Sequence, residues 1–250
     1  MDEERTQHMG HGVDPVEPPV PEVHHRDVSG GTARAAVFGV SDGLVSNMGL
    51  ILGVAGAGPA PSVVRLAGLA GLIAGGISMA AGEYNSMKVQ KELFEYELEM
   101  ERVELVRNPH VELVELAQIY ESRGLSADQA RELAAAMMEH PELALETHAR
   151  EELGINPNEL GSPMGAAAYS LAAFSVGAVA PLLPWFFTRG NAAIASSLIV
   201  AFVAAVAVGL AIGRLTARHW GRTTLRQVLF TLVPAGITYL VGSAVGVQGV

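Results

Sequence analysis

Cysteine is absent from this chain of 250 residues, and charged residues make up only 17% of it. Without cysteine there are no disulfide bonds and no thiolate metal sites. An ordinary soluble domain has about 25% charged residues, whereas half of this chain is hydrophobic. The composition therefore favours a membrane protein, in which a bound metal would be held by carboxylate, imidazole or thioether ligands.

Acidic residues are missing from long stretches of the sequence. Of the 26 Asp and Glu residues, seven precede residue 30 and seventeen lie between Glu92 and Glu159, which leaves only Asp42 and Glu83 elsewhere. The five basic residues after Glu159 are all arginine. This segregation predicts a membrane protein with one acidic domain outside the bilayer. An acidic domain repels anionic nucleic acid, so we expect no nucleic-acid partner.

The start of the chain has no basic segment followed by an apolar one, so we expect no cleaved signal peptide. Residues 1–30 contain four prolines between positions 15 and 21, which predicts a disordered tail. The histidines of this tail could chelate metal only weakly. No phosphate-binding loop, nucleophile elbow or Ser/His/Asp arrangement is present, and an enzyme is therefore not expected.

Five apolar stretches are each long enough to cross a hydrocarbon core, which needs about 20 helical residues. We place them at Ala33–Ala57, Ser62–Met87, Pro163–Phe187, Ala192–Thr216 and Leu225–Val247. Two glycine motifs are candidate helix contacts, namely Gly209-x-x-x-Gly213 and Gly242-x-x-x-Gly246. The predicted fold is an all-α membrane protein of five transmembrane helices. Its parts are the tail (1–30), two spans (31–87), an acidic helical domain (88–160) and three further spans (161–250).

Lysine and arginine counts predict the orientation in the membrane. With the N-terminus in the cytoplasm, fourteen basic residues lie on that side and only Arg65 and Arg189 on the other. The four arginines between the last two spans are the strongest evidence for this orientation, because the charge bias is most reliable in short loops. The acidic domain is thus predicted to be cytoplasmic. The missing targeting signal favours a prokaryotic plasma membrane.

The acidic domain is predicted to contain three or four helices. The first continues the second span to Arg107, because a proline at position 109 disfavours helical backbone at Asn108. Ser126 and Gln129 have the spacing of a capping box, and Pro141 suits the first turn of the last helix.

Carboxylates recur at helical spacing in three of these helices, and a histidine joins them in the last. The residues are Glu97, Glu101, Glu104, Glu112, Glu115, His148 and Glu152. Neighbouring helices that each present two ligands are typical of carboxylate metal sites in helical bundles. Carboxylates with an imidazole suit Fe²⁺, Mn²⁺ or Co²⁺. The alternative is a solvated acidic surface, which is the more ordinary role for any single glutamate.

Asp42 lies inside the first predicted span and has no basic residue one helical turn away. A carboxylate at bilayer depth costs roughly 2.5–3.5 kcal/mol on insertion scales, so it needs a partner from another helix or a transported ion. Met79 projects from a face of small residues in the second span, and Glu83 follows one turn later. The alternatives are a structural carboxylate bonded to Ser41 or Ser46, a methionine that only fills a gap, and a glutamate that only reaches the interface.

Several motifs together resemble the vacuolar iron transporter family. They are GVSDGL (39–44), AGGISMAAGEY (74–84), ELEMERVEL (97–105), EELG (151–154) and APLLPW (180–185). Their order over about residues 24–247 makes the match specific. The resemblance implies a homodimer in the lipid bilayer that exports Fe²⁺, and often Mn²⁺, from the cytosol in exchange for protons. It implies no prosthetic group.

The resemblance also implies roles for individual residues. Asp42 and Met79 would be ligands along the pathway. The implied metal-collecting residues are Glu101, Glu104, Glu112, Glu115 and Glu152. Family members have methionine where this chain has His148, and further carboxylates where it has Gly31–Ala35 and Leu72. Glu83 could take the place of these missing carboxylates in proton coupling.

Two other functional classes fit the same residues. A membrane-anchored metal sensor or store would bind ions in the acidic domain and use the spans only to dimerise. A transporter for a non-metal cation would not bind Fe²⁺ or Mn²⁺ in that domain.

Overall fold

The computed structural model describes residues 32–248, with side chains from 36 to 246. The predicted disordered tail lies outside these residues. Within them the chain forms eight α-helices and one 3₁₀ turn, and no strand. They are α1 (Thr32–Gly56), α2 (Pro61–Arg107), α3 (Pro109–Ser122), α4 (Ala127–Met138), α5 (Pro141–Glu151), α6 (Pro163–Leu182), the 3₁₀ turn (Leu183–Phe186), α7 (Asn191–Leu215) and α8 (Trp220–Gln248).

Five of these helices are long and apolar enough to cross a membrane. They are α1, α2, α6 with the 3₁₀ turn, α7 and α8. The predicted all-α fold with five transmembrane helices is therefore confirmed. The protein is an integral membrane protein that crosses the bilayer several times.

Helix α1 lies at the centre of the transmembrane helices and contacts α2, α6, α7 and α8. Its approach to α6 is close, because a Cβ atom at Gly43 would overlap the Phe174 carbonyl and one at Gly177 would overlap the Val40 carbonyl. On another face, buried side chains of α1, among them Met48, pack against small residues of α7. These contacts fix the rotation of α1 and therefore the direction of Asp42.

Both glycine motifs singled out in the sequence lie at helix contacts. Gly209 and Gly213 face the first turn of α8, where the backbone of Trp220 and Thr224 comes close. Gly242 and Gly246 face the end of α1. In each pair the missing side chain lets two backbones approach, as small residues do in membrane helices.

The start of the fifth span was predicted wrongly. Helix α8 begins at Trp220, not at Leu225, so Arg222 and Arg226 belong to the helix rather than to a loop. Thr223 and Gln227 are buried on one face of these turns, while the two arginines are exposed. A hydropathy criterion misses such an amphipathic start, because the strongly polar arginines lower the mean hydropathy of these turns. The arginines remain at the same end of the spans.

Helix α2 continues without interruption beyond its membrane-spanning part. Its 47 residues give a length of about 70 Å at 1.5 Å per residue. The far end contacts α3 and α5, and α4 packs on α3 through a small core that includes Leu116 and Tyr120. The predicted capping box of Ser126 and Gln129 starts α4. This arrangement brings α3 and α5 together with the far end of α2, beyond its apolar part.

Candidate metal centres

A buried group of acidic and histidine side chains lies where α2, α3 and α5 meet. Glu101, Glu112 and His148 are 3%, 4% and 0% exposed, while Glu152, at the end of α5, is exposed. One potential ligand atom from each of the four lies within 4.8 Å of all the others. We call these four residues the buried cluster.

The atoms of the buried cluster converge without satisfying one another. Nδ1 of His148 is 3.2 Å from a carboxylate oxygen of Glu101, 3.7 Å from one of Glu112 and 3.6 Å from one of Glu152. Within the described chain, however, neither ring nitrogen of His148 nor Oε1 of Glu101 has a hydrogen-bond partner. An unpaired buried polar atom costs about 1–3 kcal/mol. A cation between these atoms would satisfy them in place of internal hydrogen bonds.

Burial and repulsion together oppose negative charge in this group. Burial raises the pKa of Glu101 to about 7, and the charges of Glu152 and Glu112 and of two further glutamates add to the shift. Burial likewise raises the pKa of Glu112, again with help from neighbouring glutamates. A divalent cation between these carboxylates would remove the repulsion, since it supplies the missing positive charge. Carboxylates with one imidazole suit Fe²⁺, Mn²⁺ or Co²⁺.

Glu104 and Glu115 stand at the edge of the buried cluster. Both are exposed, and neither belongs to the four residues whose ligand atoms converge. Their charges nevertheless reach the cluster, because both raise the pKa of Glu101 and of Glu112. Of the seven residues in the predicted pattern, the structure brings four together and places Glu104 and Glu115 beside them, whereas Glu97 is half-buried outside the converging group.

The metal-free protein is expected to lose stability as the pH rises from about 4.5 to about 7. The pKa of Glu101 is about 7 in the folded chain against an ordinary value of 4.5, so between these values the folded chain retains a proton that the unfolded chain has released. The free energy of unfolding falls by about 3 kcal/mol over this range, and the loss persists above pH 7. Thermal unfolding in chelator across this range measures it. Glu101→Gln should flatten the profile, and wild-type stability that rises over the window would contradict the assignment.

A second site lies inside the transmembrane part, in a cavity of about 290 Å³ between α1, α2 and α6. Its potential ligands are the side chains of Asp42, Ser46, Asn47, Ser78 and Met79. Leu50, two glycines of α2 and Phe174 form the rest of the wall. Asp42 and Met79, predicted from sequence as pathway residues, therefore share one cavity.

The carboxylate of Asp42 has no fixed partner in the described part of the chain. No ion pair there includes it. Ser46 donates its hydroxyl to the main-chain carbonyl of Asp42 at 2.6 Å, and Ser41 is paired with Gln227 of α8. Neither serine thus bonds the carboxylate, as the structural alternative would require. In the single chain Asp42 is exposed at bilayer depth.

The small-residue face of α2 changes role along the helix. Gly68, Gly71 and Gly75 pack against side chains of α1 and α6, whereas Gly82 has no such atom within 4 Å of its Cβ position. Met79 lies between these two regions and is half-buried. Glu83 is also half-buried, but it does not line the cavity. The face packs against α1 and α6 as far as Gly75, lines the cavity from Gly71 to Met79, and is open at Gly82.

Asn47 was not singled out from the sequence, although it lines the cavity and is 1% exposed. The available signal was its position, because an amide side chain near the middle of a predicted span needs hydrogen-bond partners.

Comparison with known proteins gives consistent matches. The model of the VIT family matches residues 33–243. Vacuolar iron transporter 1 of Tulipa gesneriana is 29% identical over 213 residues, which are 85% of this chain and 86% of that protein. Vacuolar iron transporter 2 of Oryza sativa subsp. japonica is 32% identical over 189 residues, 75% of this chain and 77% of that protein. The vacuolar iron transporter of Acanthamoeba castellanii is 40% identical over 153 residues, 61% and 55% respectively.

Proposed function

This chain belongs to the VIT family, and from that premise we propose that it transports iron, as Fe²⁺, across a membrane. The observation that carries the proposal is that one helix bears parts of two metal-ligand groups. Met79 of α2 lines the membrane cavity, and Glu101 of the same helix lies in the buried cluster. The two residues are about 33 Å apart along the helix axis.

In this mechanism the buried cluster captures the ion first. Its carboxylates lose their mutual repulsion when the ion binds, and the proton that Glu101 retains near pH 7 is released. In the membrane cavity, Asp42 offers the charge that compensates the ion where water is scarce. Met79 adds a weak thioether contact. Transport needs binding that is favourable but weak enough for the ion to leave again, and this pair has that character.

The proposal extends to Mn²⁺, to export from the cytosol and to exchange for protons. Oxygen and imidazole ligands suit both metals. The arginines at the end of α7 and the start of α8 support a cytoplasmic acidic domain. We take the membrane to be a prokaryotic plasma membrane. Protonation of Asp42 or Glu83 from the far side would release the ion. Glu83 supports this role by its position one turn from Met79.

We also propose that the protein works as a homodimer. Asp42 is exposed in the single chain, and a carboxylate that faced lipid would be costly. Beyond the membrane, α2 exposes an apolar stripe of Val89, Leu93, Tyr96 and Met100. Its steps of four, three and four residues are typical of helices that pack along a coiled coil. A second copy would cover both the stripe and the open side of the cavity.

Leu93→Glu combined with Tyr96→Glu is expected to convert the dimer to a monomer, because two charges would face their counterparts across the stripe. Light scattering of the protein in detergent measures the mass. Val106→Glu is the matched control, since Val106 is 78% exposed on the same helix but lies off the stripe. A wild-type monomer, or equal dissociation in the control, would contradict the proposed interface.

The proposed function is tested by reconstituting the full chain in proteoliposomes and measuring Fe²⁺ uptake under reducing conditions. Uptake above that of empty vesicles, lowered by competing Mn²⁺ and accelerated by an imposed pH gradient, is the expected result. Metal binding without any uptake would contradict transport and favour the membrane-anchored sensor or store.

A further inference from the structure

We propose that the side-chain amide oxygen of Asn47 is a further ligand of the pathway, and that it favours oxygen-preferring ions over softer ones. This inference rests on the proposed function. It assigns the position that a cation would reach after leaving Asp42 and Met79.

The amide of Asn47 is held in one orientation. Its Nδ2 atom donates a hydrogen bond of 2.7 Å to the main-chain carbonyl of Ala178 on α6. A flipped amide would place Oδ1 against that carbonyl oxygen, and two acceptors repel each other. The side chain is 1% exposed and lines the cavity. Oδ1 is consequently the atom that remains for the cavity.

Oδ1 of Asn47 has no hydrogen-bond partner among the residues that the structure describes. Asn47 lies close to the middle of the span Ala36–Gly56, where an unpaired polar atom is costly because the hydrocarbon core supplies no water. Along α1 it is about 7.5 Å beyond Asp42. A buried oxygen that lacks a partner at this depth fits a role in meeting a partly dehydrated cation.

The opposite wall has no side chain where it faces this oxygen. A Cβ atom at Gly71 of α2 would lie 2.7 Å from Oδ1 of Asn47 and 2.5 Å from a methyl carbon of Leu50. Glycine inside a helix costs about 1 kcal/mol relative to alanine. Glycine at position 71 lets α2 approach the amide oxygen closely, and a methyl group there would overlap Oδ1.

The three ligands along the cavity differ in charge and softness. Asp42 supplies a charged oxygen, Met79 a soft sulfur and Asn47 a neutral oxygen. Carboxylate and carbonyl oxygens suit Mn²⁺, whereas thioether ligands suit softer ions. When the Asn47 oxygen is removed, sulfur is a larger share of the ligand set. The rate of Cd²⁺ uptake should then rise relative to the rate of Mn²⁺ uptake.

The test is uptake of Mn²⁺ and, separately, of Cd²⁺ by the full chain in proteoliposomes. Asn47→Leu, of similar volume, is expected to lower Mn²⁺ uptake about tenfold and Cd²⁺ uptake less than about threefold, because only the former depends on the oxygen. Ser197→Ala is the matched control. Ser197 is buried and donates to the Pro181 carbonyl of α6 at 2.7 Å, but it does not line the cavity. An unchanged ratio of the two metals in Asn47→Leu overturns the inference.

A second comparison removes no hydrogen bond and stands if Asn47→Leu fails to fold. Gly71→Ala is expected to lower Mn²⁺ uptake about fivefold and to shift the metal ratio in the same direction, since its methyl group meets Oδ1. Gly82→Ala, on the same helix with open space around it, should leave both rates unchanged. Equal behaviour of the two variants would refute the role of Asn47. Wild-type protein that moves no metal would instead refute the proposed function itself.

Discussion

Asp42→Asn is expected to reduce Fe²⁺ uptake at least about 100-fold, because removing one partner of a charge pair at low dielectric costs about 3–5 kcal/mol. The substitution preserves the shape of the side chain and removes only its charge. No other residue of the described chain forms an ion pair with Asp42, and in the proposed mechanism the transported ion supplies the opposite charge. Initial uptake rates in proteoliposomes measure the effect.

The buried cluster provides the internal control for Asp42→Asn. It lies beyond the apolar part of α2 and away from the membrane cavity, so the rise in unfolding temperature on adding Mn²⁺ should equal that of the wild type. A variant that binds metal normally but does not transport it would place the defect in the cavity. A variant that moves Fe²⁺ at the wild-type rate would show that Asp42 does not act on the ion.

Glu101→Gln is expected to have opposite effects on the metal-free and metal-bound protein. Without metal, the variant should be more stable than the wild type at pH 7.5, because an unpaired buried carboxylate near two others is replaced by a neutral amide. With metal, affinity should fall about 100-fold, which corresponds to about 2.7 kcal/mol. Thermal unfolding in chelator and in excess Mn²⁺ measures both quantities.

Glu99→Gln is the matched control for this pair of effects. Glu99 lies on the same helix, but its side chain is 63% exposed and only pairs with Arg102 at the surface. The control should change neither the metal-free stability nor the stabilisation by Mn²⁺ appreciably. If Glu101→Gln destabilised the metal-free protein, Glu101 would be a structural partner of His148 rather than a ligand waiting for a cation.

Much of the fold is readable from the sequence because a bilayer imposes strong constraints. The five spans follow from length and hydropathy. The end of α2 follows from Pro109, which disfavours helical backbone at Asn108. The start of α8 was missed because Arg222 and Arg226 face outward from turns whose other face is buried. Amphipathic ends of membrane helices contain too few apolar residues for such a criterion.

The candidate sites were only partly readable. Helical spacing placed Glu101, Glu112 and His148 on usable faces, but spacing does not reveal which of several glutamates point inward. Glu104 and Glu115 have the same pattern and remain at the edge. For Asn47 the decisive facts are a hydrogen bond to α6 and the close approach of Gly71, and both depend on contacts between helices distant in sequence.

The continuity of α2 has a mechanical consequence. From Glu83 to Arg107 the helix contains neither glycine nor proline, and these residues account for most sharp kinks in helices. A tilt imposed where the helix meets α3 and α5 is therefore passed on along a stiff rod to the neighbourhood of Met79. Metal binding in the buried cluster and widening of the membrane cavity would then be mechanically coupled through α2, rather than separate events.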